Sequence, residues 1–408
     1  MDKTTYETAL QHLPLKGVKV LDLSRVLTGP YCTMLLADLG AEVIKVERKE
    51  VGDDTRHWGP PFVGETNESA YFICANRNKK SLTIDMKNEE GLRLIYDLVK
   101  QCDVVVENFR VGVVKKLKLD YETLREINPR LIYASITGFG QTGPKKDYPG
   151  YDFVIQGMGG IMSITGEPTG APMKVGVAID DIVAGLFATI AINSALYRRE
   201  HTGLGDYIDV SLLDSQVAWL ANIGSSYLLT KKLPYRYGNA HASIVPYQAF
   251  KASDQYFIIC VGNNEQWKRL CNAIGQPELG DDLRFATNPV RVENREKVVK
   301  ILSEAFEKET ADYWVDALFK AGVPAGPIND LGQVFSDPQV RHREMVVKAF
   351  HPSVGDEIEM VGNPIKLAQT EPMAFVAPPL LGQHVDSILE SFGYTREKIE
   401  ELKAKNVI

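Results

Sequence analysis

Apolar positions in the first third of the chain follow two alternating periods. VKVLDL, AEVIKV, DVVVEN and LIYASIT are short runs rich in Val and Ile and read as buried strands. YCTMLLADLG, NEEGLRLIYDLVKQ and YETLREI space their apolar residues by three and four and read as helices. Strands and helices alternating in this way build a parallel sheet with crossover helices, so the fold class is α/β. Ligands of such sheets bind beyond the carboxyl ends of the strands, here the segments after Leu23, Val46, Asn108 and Thr137.

Between Pro149 and Gly176 the pattern gives way to Gly, Pro and Met, and a long apolar helix then starts at Asp180-Asp181 and runs towards Tyr197-Arg198-Arg199, where Thr202-Gly203 stops it. DYIDVSLL reads as a strand and LDSQVAWLANIGSSYLL as a helix, followed by a linker in KKLPYRYGNAHASIVP. A second region then opens with a hairpin pattern, YQAFKASDQYFIICV, and two helical patterns around EQWKRLCNAIG and TADYWVDALFKAG. From VPAGPI onward the chain is expected to rejoin the first domain. The expected spans are 1–225 for the large α/β domain, 226–325 for a smaller α+β domain and 326–408 for the returning segment. No internal repeat interrupts this organisation.

Composition adds exclusions. The 408 residues are 44% hydrophobic and 24% charged, and the net charge of −7 is spread along the chain, so neither nucleic acid nor an anionic membrane is favoured as a partner. Five widely separated cysteines, with no C-x-x-C pair, suit reduced thiols and a cytoplasmic location. The start, MDKTTYETALQHLPLKG, has the features of neither a secretory signal nor a presequence, and the run IVAGLFATIAI is too short to span a bilayer.

The turn after the first strand, S-R-V-L-T-G-P, lacks G-x-G-x-x-G, which argues against a nicotinamide or flavin dinucleotide. No H-E-x-x-H spacing suggests a metal, and no G-x-S-x-G suggests a hydrolase elbow. Asp180 and Asp181 admit two readings: capping of the helix that follows, or a carboxylate kept beside helix N–H donors for chemistry. Basic residues gather near the strand ends: Arg48, then Arg77, Lys79, Lys80 and Lys87, then Arg110, Lys115 and Lys116. They form either a solvated face or a site for several phosphates. His241, in a glycine-containing loop, is either a donor to substrate or a loop residue.

Several ordered blocks together resemble the class III CoA-transferases: G-V-K-V-L-D-L-S-R-V-L-T-G-P, D-L-G-A-E-V-I-K-V-E-R, N-R-N-K-K-S-L, V-V-E-N-F-R-V-G, I-T-G-F-G-Q-T-G-P, H-T-G-L-G-D and P-P-L-L-G-Q-H. The resemblance implies a Rossmann-like large domain and a smaller α+β domain in an interlocked homodimer. Coenzyme A, as acyl-CoA substrate and product, would lie on the large domain. By position it implies CoA contacts at Val26, Leu27 and Arg48, at Ile84, Asp85, Met86 and Lys87, at Asn108, Phe109 and Arg110, at Lys116, and at Thr137, Gly138, Phe139 and Gly140. The family's nucleophile falls on Asp181, which would carry anhydride and CoA-thioester intermediates without metal or ATP.

Two departures narrow the expectation. Formyl-CoA transferase has a glutamine at the position of Leu27 and glycines at His241-Ala242-Ser243, so oxalate and formate are disfavoured as substrates. The racemase branch has a histidine at Tyr151, which favours transfer over racemisation. The blocks GDDTRHWGPPF and GNAHASIVPYQAF resemble the succinyl-CoA:glutarate (hydroxymethylglutarate) branch. A dicarboxylate needs a cation for its distal charge, and Arg56 is the candidate, with surface exposure as its alternative; His241 and Ser243 are expected near the acyl group.

Overall fold

The computed structural model describes residues 12–368, 370 and 374–408; residues 1–11, on which most of the expectation about a leader falls, lie outside the described residues. The chain divides into two compact units. One runs to Gly160 and resumes over Val175–Ser225 and Pro338–Ile408; the other comprises Ile161–Lys174 and Ser226–Asp337. The expected spans differ from this division in two places: the return comes at 338 instead of 326, and residues 161–174 belong with the smaller unit.

The large unit is built on six parallel strands, β1 (Lys19–Asp22), β2 (Glu42–Glu47), β3 (Lys79–Thr83), β4 (Val104–Glu107), β5 (Ile132–Thr137) and β6 (Asp206–Ser211), in the order β3-β2-β1-β4-β5-β6. This is the doubly wound order, and its direction of winding reverses between β1 and β4. Val20 pairs with Val104 and Asp22 with Val106, so the two strands end side by side and their following turns diverge around a crevice.

Both faces of the sheet are covered, which is why the strands read as nearly continuous apolar runs. Leu21, Ile44, Val105 and Tyr133 face a core shared with α2 (Glu89–Val99), α3 (Tyr121–Ile127) and the terminal helices Val385–Ser391 and Arg396–Ala404. Val20, Val43, Val104 and Ile132, one residue out of phase, face the core formed with α1 (Thr28–Asp38) and α5 (Ile179–Thr202). Two shorter helices, α4 (Asp152–Met158) and α6 (Leu212–Trp219), complete that side.

α5 extends the expected apolar run to 24 residues, and by length and composition alone it could cross a membrane. In this fold Ala184, Ala188 and Ile192 are fully buried in the second core. Gly185 lets α5 approach α1 closely, since a Cβ there would come within 2.9 Å of the Thr28 carbonyl oxygen. The helix ends at Gly203, which takes the left-handed conformation at φ 71°.

The small unit has a three-stranded antiparallel sheet, β7 (Tyr247–Lys251), β8 (Tyr256–Cys260) and β9 (Ala325–Pro327), packed on helices around Trp267, Leu302, Phe306 and Trp314. A further hairpin, β10 (Val346–His351) with β11 (Asp356–Val361), belongs to the large unit and buries Ala349, Ile358 and Met360 against Ile73 and Ala377.

Candidate active site

The turn leaving β1 is held in an uncommon conformation. Val26 has φ 69°, a costly value for a β-branched residue, and both Asp53 carboxylate oxygens accept its N–H at 3.2 Å. Asp53 is anchored by the buried Lys45, whose ammonium lies 2.8 Å away and also donates to the Ser24 carbonyl at 3.0 Å. Burial alone would raise the Asp53 pKa, but Lys45 and the Thr55 hydrogen bonds outweigh it and hold the group at about 2. On the other side Asn108 clamps Arg25: the Arg25 N–H donates to Oδ1 at 2.9 Å, and Nδ2 donates to the Arg25 carbonyl at 2.7 Å. The turns after β1 and β4 are thereby tied together across the point where the winding reverses.

Between them lies a cavity of about 430 Å³, all of it within the large unit. α1 enters it with no side-chain cap on its first turn, and Thr28 lines the wall. The close α1–α5 packing brings Asp181 opposite, and Thr28 Oγ1 donates a hydrogen bond to Asp181 Oδ1. Burial raises the Asp181 carboxyl to about 6; the Thr28 hydrogen bond works in the other direction and the charge of Asp152 adds to the rise. Neither Asp180 nor Asp181 caps α5, because the N-cap position is Ala178, with no side-chain cap, and the Asp180 N–H donates to Asp152 Oδ1 at 2.9 Å. The capping reading therefore does not account for Asp181. Its carboxylate faces the cavity beside uncapped amide donors, an arrangement suited to attack on a carbonyl.

A larger surface groove of about 610 Å³ runs between α2 and the C-terminal segment, where Tyr394 Oη donates to Asp97 at 2.7 Å. Its lining carboxylates are engaged locally, Glu90 by Lys405 at 2.7 Å and Asp97 by Lys100 and Tyr394, both at 2.7 Å. Among the described residues no group of three or more His, Cys, Asp or Glu side chains is placed to hold a metal ion.

The sequence matches CoA-transferase family III over residues 15–385. The chain belongs to that family. This CoA-transferase is 47% identical to succinyl-CoA:glutarate CoA-transferase of Homo sapiens over 97% of its own length and 90% of the relative's. It is also 47% identical to succinate–glutarate CoA-transferase of Agrobacterium fabrum, over 92% of its length and 95% of the relative's. A solved CAIB/BAIF family protein from Brucella suis superposes with TM-score 0.83 at 47% identity, covering 94% of this chain and all (100%) of that one.

Several of the residues expected to contact CoA surround the CoA-transferase cavity. Val26, Leu27, Asn108, Phe109 and Arg110 line it on one side, Thr137 and Gly138 on another. Arg48 and Met86 line a small adjoining recess that shares Arg25 and Phe109 with it. Ile84 is buried in the core, and Asp85 is occupied locally, its carboxylate accepting the Lys87 N–H at 3.0 Å and its own N–H donating to the Val407 carbonyl at 2.8 Å. Lys116 ends a four-residue helical turn and is not part of the lining. Phe139 is buried in the second core, and Gly140 lies behind the wall with its N–H on Thr137 Oγ1 at 2.9 Å.

Arg56 is not the exposed surface residue of the alternative reading. Its guanidinium is buried, donates to both Glu47 oxygens at 2.8 Å and to the Pro379 carbonyl at 3.0 Å, and stacks 3.7 Å over the Phe72 ring. Its Nε and Nη2 donors are thus taken up by the fold, while the Nη1 donors take no part in these contacts. The basic cluster also disperses: Arg77 pairs with Asp38 at 2.6 Å and Lys79 with Asp22 at 3.1 Å, both buried, and Lys80 pairs with Glu42 at 2.6 Å. His241 and Ser243 lie in the small unit, where His241 Nδ1 accepts the Ser243 N–H at 3.1 Å and Arg295 donates to the His241 carbonyl at 2.8 Å.

Sequence reasoning missed Thr28, Arg25, Lys146 and Trp58, all of which line the cavity. Thr28 stood inside the quoted S-R-V-L-T-G-P block, at the first position of a helix following a strand, which is where a sheet of this class places ligand-facing groups. Arg25 is paired with Asp54 at 2.9 Å. Lys146 is exposed and forms no ion pair with a carboxylate among the described residues, a property that pattern alone does not reveal.

Proposed function

We propose that this CoA-transferase moves CoA from succinyl-CoA to a dicarboxylate acceptor of about glutarate length, with Asp181 as the nucleophile. The observation that carries the reading is the Asp181 carboxylate, held by Thr28 against the uncapped start of α1 inside the crevice where the sheet winding reverses. The names of the relatives from Homo sapiens and Agrobacterium fabrum support the choice of acids.

The chemistry needs only one carboxylate. An Asp181 oxygen attacks the thioester carbonyl, the C–S bond breaks, and a mixed anhydride forms as CoA leaves as thiolate. The thiolate then attacks the Asp181 carbonyl carbon and expels succinate, leaving an aspartyl-CoA thioester. The acceptor carboxylate attacks that thioester, again releasing thiolate, and the thiolate attacks the acceptor's acyl carbon in the second anhydride. The new acyl-CoA departs and Asp181 returns as carboxylate. First-turn N–H groups of α1 supply donors for the oxyanion at each carbonyl, and the cavity walls keep water from the anhydrides. Arg110 and Lys146 bring positive charge to the mouth for the phosphates of CoA.

A homodimer accompanies this reading. α5 exposes Leu186, Phe187 and Ile190, and α4 exposes Phe153, Val154 and Met158, an apolar expanse in one unit that a second copy would cover. The direct test is incubation with succinyl-CoA and a panel of carboxylates. Glutaryl-CoA and succinate should appear together in equal amounts; formation of no new acyl-CoA from any acceptor contradicts the proposal.

A further inference from the structure

α5 begins with two adjacent carboxyls, and only one faces the cavity. Asp181 lines it. Asp180, about 100° round the helix, is fully buried, and neither of its side-chain oxygens has a hydrogen-bond partner. The neighbouring Asp152 is hydrogen-bonded through both oxygens: one accepts the Asp180 N–H at 2.9 Å and the other accepts from Gln156 Nε2 at 2.7 Å.

The groups facing Asp180 offer it no positive charge. α4 presents Asp152, α5 itself presents Asp181, and α6 presents the uncharged indole of Trp219. The Trp219 Nε1–H is buried and lies near the carboxyl, but outside hydrogen-bond geometry with it. A carboxylate removed from water, with no cation, only the indole N–H nearby and two other acids beside it, is accommodated better in its neutral form. Burial, followed by the charge of Asp152, raises it to about 7, with the Trp219 indole working in the other direction.

We propose that Asp180 is a positioning residue that holds a proton in the working enzyme, leaving Asp181 as the single anion on the first turn of α5, and that release of this proton shuts transfer down. The inference rests on the reading of Asp181 as nucleophile. Ionised Asp180 would place a second negative charge next to Asp181, in a site that must take in a polyanionic thioester and then retain a thiolate. An unpaired buried charge would also draw the start of α5 towards water and loosen the Thr28–Asp181 contact. A protonated neighbour does neither.

Asp180→Asn removes the proton equilibrium while keeping the size of the side chain, and Asp180→Ser serves if the amide perturbs folding. In the wild type kcat/KM should fall as pH rises beyond about 7, approaching tenfold per pH unit. In either variant this fall should move up by at least about one unit or vanish. An alkaline fall that stays in place in both folded variants overturns the proposal. Difference infrared spectroscopy of wild type against Asp180→Asn gives a readout independent of turnover. A protonated-carboxyl C=O band should be present at about pH 6 and gone by about pH 9, and its absence at the lower pH overturns the proposal equally. Were Asp181 not the nucleophile, the band would persist while Asp181→Ala kept its activity, so the two failures are distinguishable.

Discussion

Thr28 at the start of α1 and Asp181 at the start of α5 meet through a hydrogen bond from the Thr28 hydroxyl to the Asp181 carboxylate, 153 residues apart in sequence. Their meeting depends on the close α1–α5 approach at Gly185 and on the strained turn at Val26 that starts α1 at the cavity wall. The hydroxyl fixes which carboxylate oxygen is free to attack, and it lowers a pKa that burial raises.

Thr28→Val should therefore cost activity without costing the fold. Hydrogen bonds to charged groups are worth about 1.5–3 kcal/mol, so kcat should drop about ten- to a hundredfold, with KM for the acyl-CoA little changed. Thr28→Ser should recover most of the loss. Steady-state kinetics with both variants check this, and equal kcat in Thr28→Val and wild type would remove Thr28 from the mechanism.

Arg56→Ala should destabilise the protein instead of changing its acceptor preference. It strands the buried Glu47, whose carboxyl burial alone would raise and which Arg56 holds below its ordinary value. Breaking a buried pair by removing one partner costs about 3–5 kcal/mol. Chemical denaturation should show that loss, and Arg56→Lys should not restore it, because an ammonium cannot reproduce the bidentate contact. A specific decline in dicarboxylate use in a variant of normal stability would contradict this account.

Acid should inactivate the enzyme through Asp181. Its carboxyl sits at about 6, above the ordinary 3.8, so the attacking anion is lost as pH falls through about 6, and kcat/KM should decline about tenfold per unit below that point. The stability effect of the same group has the opposite sign. A raised carboxyl favours the folded state while protonated, and that contribution is lost as pH rises from 3.8 to about 6. A kcat/KM profile that stays flat down to about pH 4 would show that Asp181 does not titrate in the working range.

The sheet was legible because its strands are buried on both faces and its helices carry the helical period, and with them came the crevice between the turns that hold Leu27 and Asn108. The choice between Asp180 and Asp181 was not available from pattern. Both precede the same helix, and only the three-dimensional path of α4 and α6 turns one carboxyl inward and leaves the other on the cavity. Arg56 and Lys79 read as available cations because their partners, Glu47 and Asp22, sit at the ends of strands that the sequence cannot bring beside them. The boundary at 338 was missed because VPAGPI itself holds β9, which adds a third strand to a small sheet whose pattern showed only a hairpin.

The central claim is that Asp181 becomes covalently activated by the donor thioester. Incubation with succinyl-CoA in the absence of acceptor, trapping with hydroxylamine and peptide mass spectrometry should find the hydroxamate on Asp181, and find none in Asp181→Ala, which should retain CoA binding and lose transfer. A hydroxamate on Asp180, or Asp181→Ala that still transfers CoA at an appreciable rate, would contradict it.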